Sequence, residues 1–202
     1  MNNFIYIYYD KLYINLTNQC PCNCTFCIRH FCDGVGSAET LWLEKEPTVD
    51  EVISELANYD FEEYNEVIFC GYGEPFCRLN EMLEICSFLH KTQKVKISID
   101  TNGLGELIND KPVVHMLDGS VDCVSISLNA ADKHSYYKLC NPVFGSKSYD
   151  YMLKFINDCK EIVPEVKLTV VDVISQDEIE KCKKIADELG LPFGVRSSRY
   201  KK

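Results

Sequence analysis

The sequence predicts an α/β protein in which strands alternate with helices around a parallel sheet. Three observations support this fold class: short apolar strand-like runs recur, amphipathic helical patterns separate them, and polar or glycine-rich stretches follow most strands. Such alternation is typical of parallel sheets with right-handed crossovers. We count about six β/α units, fewer than a closed eightfold barrel requires. We therefore expect an open, partial β/α barrel that forms one domain over residues 1–202, with no separate substrate domain.

The first half of the chain begins with a strand pattern and a long loop. The segment from Phe4 to Leu16 alternates apolar and polar residues, which predicts a strand or a hairpin. Residues 28–46 show little periodicity and predict a loop that is either functional or disordered. Thr48 and Glu51 form a capping box, which predicts the start of a helix. The next predicted elements are a strand at 66–69, a helix capped by Asn80, and a second strand at 95–99.

The second half continues the same alternation. Its predicted elements are a strand at 121–128, a helix at 149–163, a strand at 166–174, a helix that opens at a second capping box, Ser175 to Glu178, and a strand at 193–195. The stretch around Val113 to Leu117 is poorly patterned and predicts at most a short helix. In parallel β/α folds, the loops after the strands build the functional site. Here those loops are polar or glycine-rich: 20–27, 71–75, 100–103, 127–129 and 172.

The charge and the composition exclude several classes of function. The chain carries 31 acidic and 21 basic residues, a formal net charge of −10 at pH 7. Nucleic-acid-binding proteins usually present a basic surface, and anionic membranes attract basic segments, so neither partner is expected. No apolar run approaches the roughly 18 residues needed to span a bilayer. Residues 1–10 lack the features of a signal peptide, so we expect a cytoplasmic protein.

Three of the twelve cysteines stand out because they share one short loop. Cys20, Cys24 and Cys27 have C-x3-C-x2-C spacing. Three thiolates on a tight loop can hold an iron–sulfur cluster on three corners and leave the fourth open. Two other interpretations remain: a structural zinc site with Cys22 as a fourth thiolate, or a redox pair of Cys24 and Cys27. A non-enzymatic zinc or iron–sulfur binding module is therefore the alternative to an enzyme.

The cysteine loop also resembles the signature of radical S-adenosylmethionine (SAM) enzymes, since the aromatic Phe26 precedes the last cysteine. The run Cys70 to Pro75 is similar to the G-G-E-P element of that family, with Tyr72 in its second position. Asp100 to Gly103 resembles a third-strand element of some members. The resemblance covers Leu12 to Val195 and implies a full or partial β/α barrel. The closest likeness is to the small radical SAM proteins associated with TatD-type nucleases, through residues 24–29, 33–36, 124–130 and 168–172.

The resemblance implies two cofactors and a set of residues that bind them. Cys20, Cys24 and Cys27 are expected to hold a [4Fe–4S] cluster whose remaining iron binds SAM. Asp100 and Thr101 are candidates to share a small cation with the SAM carboxylate, although turn chemistry at a strand end also explains such residues. The full set of residues expected to bind SAM is Phe26, Gly71, Tyr72, Gly73, Glu74, Asp100, Thr101, Asn102, Ser127, Asn129 and Val173. Of these, Phe26 and Val173 are the candidates for contact with adenine.

The implied reaction is reductive cleavage of SAM to a 5′-deoxyadenosyl radical that abstracts hydrogen from a substrate. The expected partners are SAM, an electron donor such as a flavodoxin or a ferredoxin, and an unidentified substrate. The open side of the barrel suits a protein partner or a separately folded lid, and the substrate itself is a candidate for such a protein. Small-molecule tailoring, as in the compact deazapurine synthases, and activation of a glycyl radical enzyme are the alternative reactions. The sequence identifies no catalytic residue beyond the residues that bind the cofactors.

Overall fold

The computed structural model describes residues 4–198, and seven strands in this part of the chain form a single sheet. The strand order is β1-β2-β3-β4-β5-β6-β7. The first two strands are antiparallel, and every later neighbour pair is parallel. The sheet is not closed, which confirms the predicted open, partial barrel. The strands are β1 Ile5–Tyr8, β2 Lys11–Ile14, β3 Glu66–Phe69, β4 Lys96–Thr101, β5 Cys123–Ser127, β6 Glu165–Val171 and β7 Phe193–Arg196.

In the described part of the chain, six α-helices connect the parallel strands. They are α1 Val49–Leu56, α2 Leu79–Thr92, α3 Gly105–Asn109, α4 Lys133–Cys140, α5 Lys147–Ile162 and α6 Gln176–Leu189. Helix α1 begins at the predicted capping box: the Thr48 backbone N–H donates to Glu51 Oε2 at 2.7 Å, and the Glu51 N–H donates to Thr48 Oγ1 at 3.2 Å. None of the helices within residues 4–198 is long and apolar enough to cross a membrane.

Several predicted boundaries were wrong for identifiable physical reasons. Helix α2 begins at Leu79, before the predicted Asn80 cap, because it continues directly from a 3-10 turn over Pro75–Arg78. The second capping box is only half formed. The Glu178 N–H donates to Ser175 Oγ at 3.2 Å, but the Glu178 carboxylate accepts a bond from the Ala131 N–H at 2.9 Å instead. Strand β6 ends at Val171, three residues earlier than predicted, because a turn follows it.

Helix α4 was not predicted. Its buried residues are only Tyr136 and Cys140, so the helical apolar pattern is short. The Asp132 carboxylate caps its first turn by accepting hydrogen bonds from the backbone N–H groups of His134 and Ser135. This cap was the available signal, since aspartate is a preferred N-cap residue.

The two faces of the sheet differ in polarity. The face toward the helices is apolar and almost fully buried: Val67, Phe69, Ile97, Ile99, Val124, Ile126, Leu168 and Val170. Because strand residues alternate between faces, their neighbours lie on the concave side of the sheet. Those neighbours include Ser98, Asp100, Ser125 and Ser127. The concave face is therefore polar and available for a site at the carboxyl ends of the strands.

The long loop over residues 28–46 folds over the β1 end of the concave face. Tyr6, Ala38, Leu41 and Tyr72 form a second, smaller buried cluster there. The Tyr72 hydroxyl donates to the backbone carbonyl of Cys32 in this loop. Trp42 packs edge-on against the Tyr72 ring, with the centroids 5.0 Å apart and the planes at 72°. The loop thus covers one side of the open barrel.

Candidate functional site

The cysteine loop runs from the segment after β2 to a short 3-10 helix at Ile28–His30. Its backbone pairs with the segment at the end of α4. Three backbone N–H groups donate across this contact: Asn23 to Cys140 at 3.1 Å, Thr25 to Leu139 at 3.0 Å, and Val143 to Pro21 at 2.8 Å. The Arg29 guanidinium also donates to the Cys22 carbonyl at 3.0 Å. The conformation of the loop is therefore fixed by main-chain contacts.

The thiols of the loop fall into two groups. Cys20, Cys24 and Cys27 are partly exposed, whereas Cys22 between them is buried. A hydrogen bond from the Cys22 thiol lowers the pKa of Cys20. The pKa of Cys24 is lowered to about 4, mainly by a hydrogen bond from the Cys140 thiol and next by one from the Cys22 thiol. Burial raises the pKa of Cys27.

Cys140 is a neighbour of this site that the sequence did not predict. It is buried at the end of α4, and it accepts a hydrogen bond from Asn129 Nδ2 at 3.6 Å. Asn129 adopts a left-handed backbone conformation with φ of 59°. The thiol of Cys140 in turn donates to Cys24. The only sequence signal was the cysteine itself, 116 residues after Cys24, and no motif connects them.

The positions of the possible ligands decide which kind of metal centre suits the site. Within residues 4–198, no three His, Cys, Asp or Glu side chains lie close enough to hold one metal ion. A [4Fe–4S] cube binds each thiolate through a different iron, so its ligands stand further apart than the ligands of a single ion. Cys20, Cys24 and Cys27 nevertheless interact electrostatically, since the charges of the first two raise the pKa of the third. Three accessible thiols on one fixed loop are compatible with a cluster held on three corners.

The glycine element lies against the segment that leads into the cysteine loop. A Cβ atom on Gly71 would stand 2.0 Å from Asn15 Oδ1, and one on Gly73 would stand 2.3 Å from the Thr17 carbonyl oxygen. Both positions therefore exclude larger residues because of close approach. The Glu74 N–H adds a hydrogen bond of 2.7 Å to the Gln19 carbonyl. The segment after β3 is thus packed against, and hydrogen-bonded to, the segment that leads into the cysteine loop.

Glu74 is a buried carboxylate that joins the ends of β3 and β4. Its side chain accepts bonds from Thr101 Oγ1 at 2.6 Å, the Asn102 N–H at 2.8 Å and the Phe76 N–H at 3.4 Å. The residue is 4% exposed. Burial raises its pKa to about 7, although these hydrogen bonds act in the opposite direction. Glu74 therefore organises the loops around it.

Asp100 faces the concave side and is paired with an arginine from the last strand. Arg196 Nη2 lies 3.1 Å from Asp100 Oδ1 and donates to Ser125 Oγ at 2.9 Å. The Asp100 and Arg196 side chains are 18% and 40% exposed, so the pair is open to the barrel interior. Burial raises the pKa of the neighbouring Cys70, and its hydrogen bond to Asp100 adds to that effect. The sequence did not predict Arg196, which lies 96 residues from its partner.

The structure does not bring Asp100 and Thr101 together as joint ligands of a small cation. They are adjacent residues of β4 and point to opposite faces. Thr101 donates to Glu74, whereas Asp100 pairs with Arg196. Each side chain therefore has a partner of its own.

Asn102 and Ser127 lie at neighbouring strand ends. Asn102 Nδ2 lies 3.9 Å from Cys20 Sγ, so the element after β4 contacts the cysteine loop. Ser127 ends β5 on the same face as Ser125.

The two residues predicted to contact adenine, Phe26 and Val173, differ in burial. Phe26 packs partly buried against the main core, and Val173 is 40% exposed in the turn after β6. A cavity of about 330 Å³ lies beside the cysteine loop, and Thr25 and Ile174 line it together with Ala130, Ser135, Lys138, Leu139, Ser175 and Glu178. Neither Phe26 nor Val173 lines this cavity.

The chain therefore combines an open barrel with a three-cysteine loop after its first parallel strand. The model of the radical SAM superfamily matches residues 14–189. The chain therefore belongs to the radical SAM superfamily. No curated protein matches the sequence.

Solved structures of radical SAM proteins share this fold. Streptococcus suis SuiB bound to S-adenosylmethionine has a TM-score of 0.67 and 19% identity, over 94% of this chain and 39% of that chain. A radical SAM methyltransferase from Sphaerobacter thermophilus has a TM-score of 0.59 and 15% identity, over 97% and 69%. The protein anSMEcpe with bound AdoMet and a peptide has a TM-score of 0.66 and 16% identity, over 92% and 50%. The chain thus spans about two fifths of SuiB and half of anSMEcpe.

Proposed function

We propose that this protein is a radical SAM enzyme that cleaves SAM reductively and uses the 5′-deoxyadenosyl radical to abstract hydrogen from a substrate. The observation that carries the proposal is the set of three partly exposed thiols, Cys20, Cys24 and Cys27, on a loop fastened to the glycine element. These thiols would hold a [4Fe–4S] cluster. When bound, such a cluster supplies the electron that cleaves SAM, while the protein supplies placement.

The residues that the sequence predicts to bind SAM are assigned to separate parts of that molecule. We assign the backbone of Gly71 to Glu74 to the methionyl part of SAM, since it directly adjoins the cysteine loop. The Glu74 side chain would position this backbone, because its oxygens are already used by neighbouring donors. The residues assigned to the carboxylate, the ribose and the adenine are Asn102, Ser127, Asn129, Phe26 and Val173.

The concave face is the proposed substrate side. Asp100, Arg196 and Ser125 form a polar, partly open group there, which suits a substrate with hydrogen-bonding groups. A peptide or protein is the first class to test, because anSMEcpe, a structure of the same fold, holds a peptide. All twelve cysteines are free, which supports a reducing compartment, and we propose the cytoplasm.

Anaerobic reconstitution followed by incubation with SAM and dithionite tests the proposal. We expect about four irons per chain, as a cubane requires, and 5′-deoxyadenosine as a product. A full cluster without any 5′-deoxyadenosine would contradict the proposed activity. Zinc at about one per chain without iron would instead support a zinc-binding module.

A further inference from the structure

The charged side chains of the concave face form ion pairs, with one exception. Three pairs cross this face: Lys11 with Glu66, Lys96 with Glu165, and Arg196 with Asp100. Lys167 of β6 lies on the same face, because it alternates with the buried Val166 and Leu168. No ion pair among residues 4–198 involves Lys167. In this part of the chain, one cation of the concave face is therefore without a carboxylate partner.

The neighbouring carboxylates already have other donors. Both oxygens of Glu66 accept hydrogen bonds from side chains of adjacent strands. Asp172, in the turn after β6, accepts a hydrogen bond of 2.6 Å from the Ser198 N–H. Glu74 accepts its bond from Thr101, which points to the helix side of the sheet. The positive charge on the floor of the barrel is therefore not neutralised by a carboxylate that lies close in sequence but faces elsewhere.

Lys167 stands beside an open part of this floor. It is the register partner of Ser125, whose hydroxyl accepts the hydrogen bond from Arg196. On β7, Gly194 pairs with Thr169 and contributes no side chain. A Cβ atom added to Gly194 would meet nothing nearer than Thr169 Cγ2 at 3.7 Å. The concave face thus has a gap at Gly194, with Lys167 on one adjoining strand and Arg196 two residues further along β7.

The electrostatic effect of Lys167 agrees with this position. Burial raises the pKa of the Cys123 thiol on the concave face, and the charge of Lys167 acts in the opposite direction. The contacts of Arg196 with Asp100 and with Ser125 both use its Nη2 atom. A guanidinium has several further N–H donors, so Arg196 retains donors for another acceptor.

We propose that the gap between Lys167 and Arg196 binds a carboxylate group of the substrate. The inference rests on the proposed function, because it names the class of molecule that the concave face would receive. A guanidinium matches the planar pair of oxygens of a carboxylate, and the ammonium adds a second charge-assisted hydrogen bond. One unpaired cation balances one negative charge, whereas a phosphate monoester carries about −1.5 to −2 at pH 7. The site therefore suits a carboxylic acid better than a phosphate ester.

The depth of this gap also fixes how the substrate would lie. Three side chains share one row of the register: Asp100, Ser125 and Lys167. This row stands two residues before Ser127, the last residue of β5. A strand rises about 3.3 Å per residue, so the row lies about 7 Å below the strand ends. A carboxylate held there would leave the rest of the substrate directed toward the strand ends and the cysteine loop.

Binding of three matched probes to the reconstituted, oxidised protein tests the proposal: 3-phenylpropanoate, 3-phenylpropanamide and 2-phenylethyl phosphate. Saturation-transfer NMR titrations without a reductant measure each dissociation constant while SAM stays intact. The neutral amide resembles the carboxylate in shape, so the ratio of their dissociation constants isolates the effect of charge. We expect the wild type to bind the carboxylate about tenfold more tightly than the amide, and more tightly than the phosphate.

Three variants locate the charge that causes this preference. Lys167→Gln should reduce the ratio to about twofold or less, because the unpaired cation is lost. Lys167→Arg should keep the preference, since the charge is retained. Lys111→Gln removes the same charge at an exposed position just after α3 and should match the wild type. Retention of the preference in Lys167→Arg separates the loss of charge from a disturbance of the fold.

Other results would overturn the inference. Equal binding of the carboxylate and the amide to the wild type would show that the gap does not recognise a negative charge. Tighter binding of the phosphate would assign the site to a phosphate ester instead. A full preference in Lys167→Gln would place the anion elsewhere, and an equal loss in Lys111→Gln would mean that only the net charge matters.

The same titrations with saturating SAM separate this site from the cofactor and from the proposed function. An unchanged preference for the carboxylate would support a substrate site, whereas displacement of the probe would show that Lys167 serves the carboxylate of SAM. If dithionite yields no 5′-deoxyadenosine, the proposed function fails, while the carboxylate preference still decides this site. If the protein cleaves SAM but shows no such preference, only the carboxylate site is wrong.

Discussion

The carboxyl ends of the strands differ in burial across the sheet. At the ends of β3 and β4, here called the closed half, the key side chain is buried and hydrogen-bonded. At the ends of β5 to β7, here called the open half, side chains are partly exposed. In the closed half, Glu74 is 4% exposed and its oxygens accept hydrogen bonds from three neighbouring residues. In the open half, Arg196 is 40% exposed within its ion pair, and Val173 and Val195 are 40% and 47% exposed. The closed half holds the entry of the cysteine loop through the bond from the Glu74 N–H to the Gln19 carbonyl, while the open half can accept a ligand or a substrate.

The space around the glycines also differs between the closed and the open half. Gly71 and Gly73 lie in the closed half, where an added Cβ atom would overlap the segment before the cysteine loop. Gly194 lies on β7 in the open half, where the nearest atom to an added Cβ is Thr169 Cγ2 at 3.7 Å. The same residue type is therefore required in one half and dispensable in the other.

The largest expected effect is the loss of a proposed cluster ligand. Cys24→Ala should remove bound iron and abolish formation of 5′-deoxyadenosine, because a cluster held by two thiolates is not retained. Cys86→Ala is the matched control, since Cys86 is fully buried in α2 and should cost only about 1 kcal/mol of stability. Iron analysis and product chromatography measure both outcomes. Full cleavage activity in Cys24→Ala would show that the ligand assignment is wrong.

A smaller effect should distinguish the two halves directly. Gly73→Ala should destabilise the protein by about 3 kcal/mol, because the new methyl group would overlap the backbone carbonyls of Thr17 and Gln19. Gly194→Ala should change the free energy of unfolding by less than about 1 kcal/mol. Urea denaturation of the cluster-free protein measures both. Equal losses in the two variants would remove the proposed difference between the halves.

Glu74 should make the stability of the closed half depend on pH. Burial raises the folded-state pKa from 4.5 to about 7, so between these values the folded state binds more protons than the unfolded state. The contribution of Glu74 to stability is therefore complete below pH 4.5 and is lost as the pH rises through 7. We expect at most roughly 3 kcal/mol of such loss, which Glu74→Gln should remove. If the urea midpoints of the wild type and of Glu74→Gln change with pH in the same way across this range, the raised pKa of Glu74 is contradicted.

The smallest expected effect concerns the ion pair of the open half. Arg196→Gln removes the partner of Asp100 but leaves both positions accessible to water. We expect a loss of about 0–1 kcal/mol, because partly exposed pairs contribute little. The iron content should stay that of the wild type. A loss as large as that of Gly73→Ala would show that this half is as tightly constrained as the other.

Local patterns in the sequence predicted much of the fold, and they identified the cysteine and glycine loops that the structure brings into contact. The capping box of Thr48 and Glu51 and the alternation of strands and helices depend on neighbouring residues, and both were confirmed. The pairing of Asp100 with Arg196 and the contact of Cys140 with Cys24 depend on distant segments brought together by the sheet. No local pattern predicts such contacts. Helix α4 was missed because its apolar face is only two residues long.

In the proposed function, the cysteine loop would hold a cluster and leave one of its corners open for SAM. Electron paramagnetic resonance of the dithionite-reduced, reconstituted protein tests this most directly, with and without SAM. We predict that SAM changes the g-values of the cluster in the wild type and in Gly194→Ala, because it binds the iron that lacks a protein ligand. An identical spectrum before and after saturating SAM would contradict the open corner and the proposed function that depends on it.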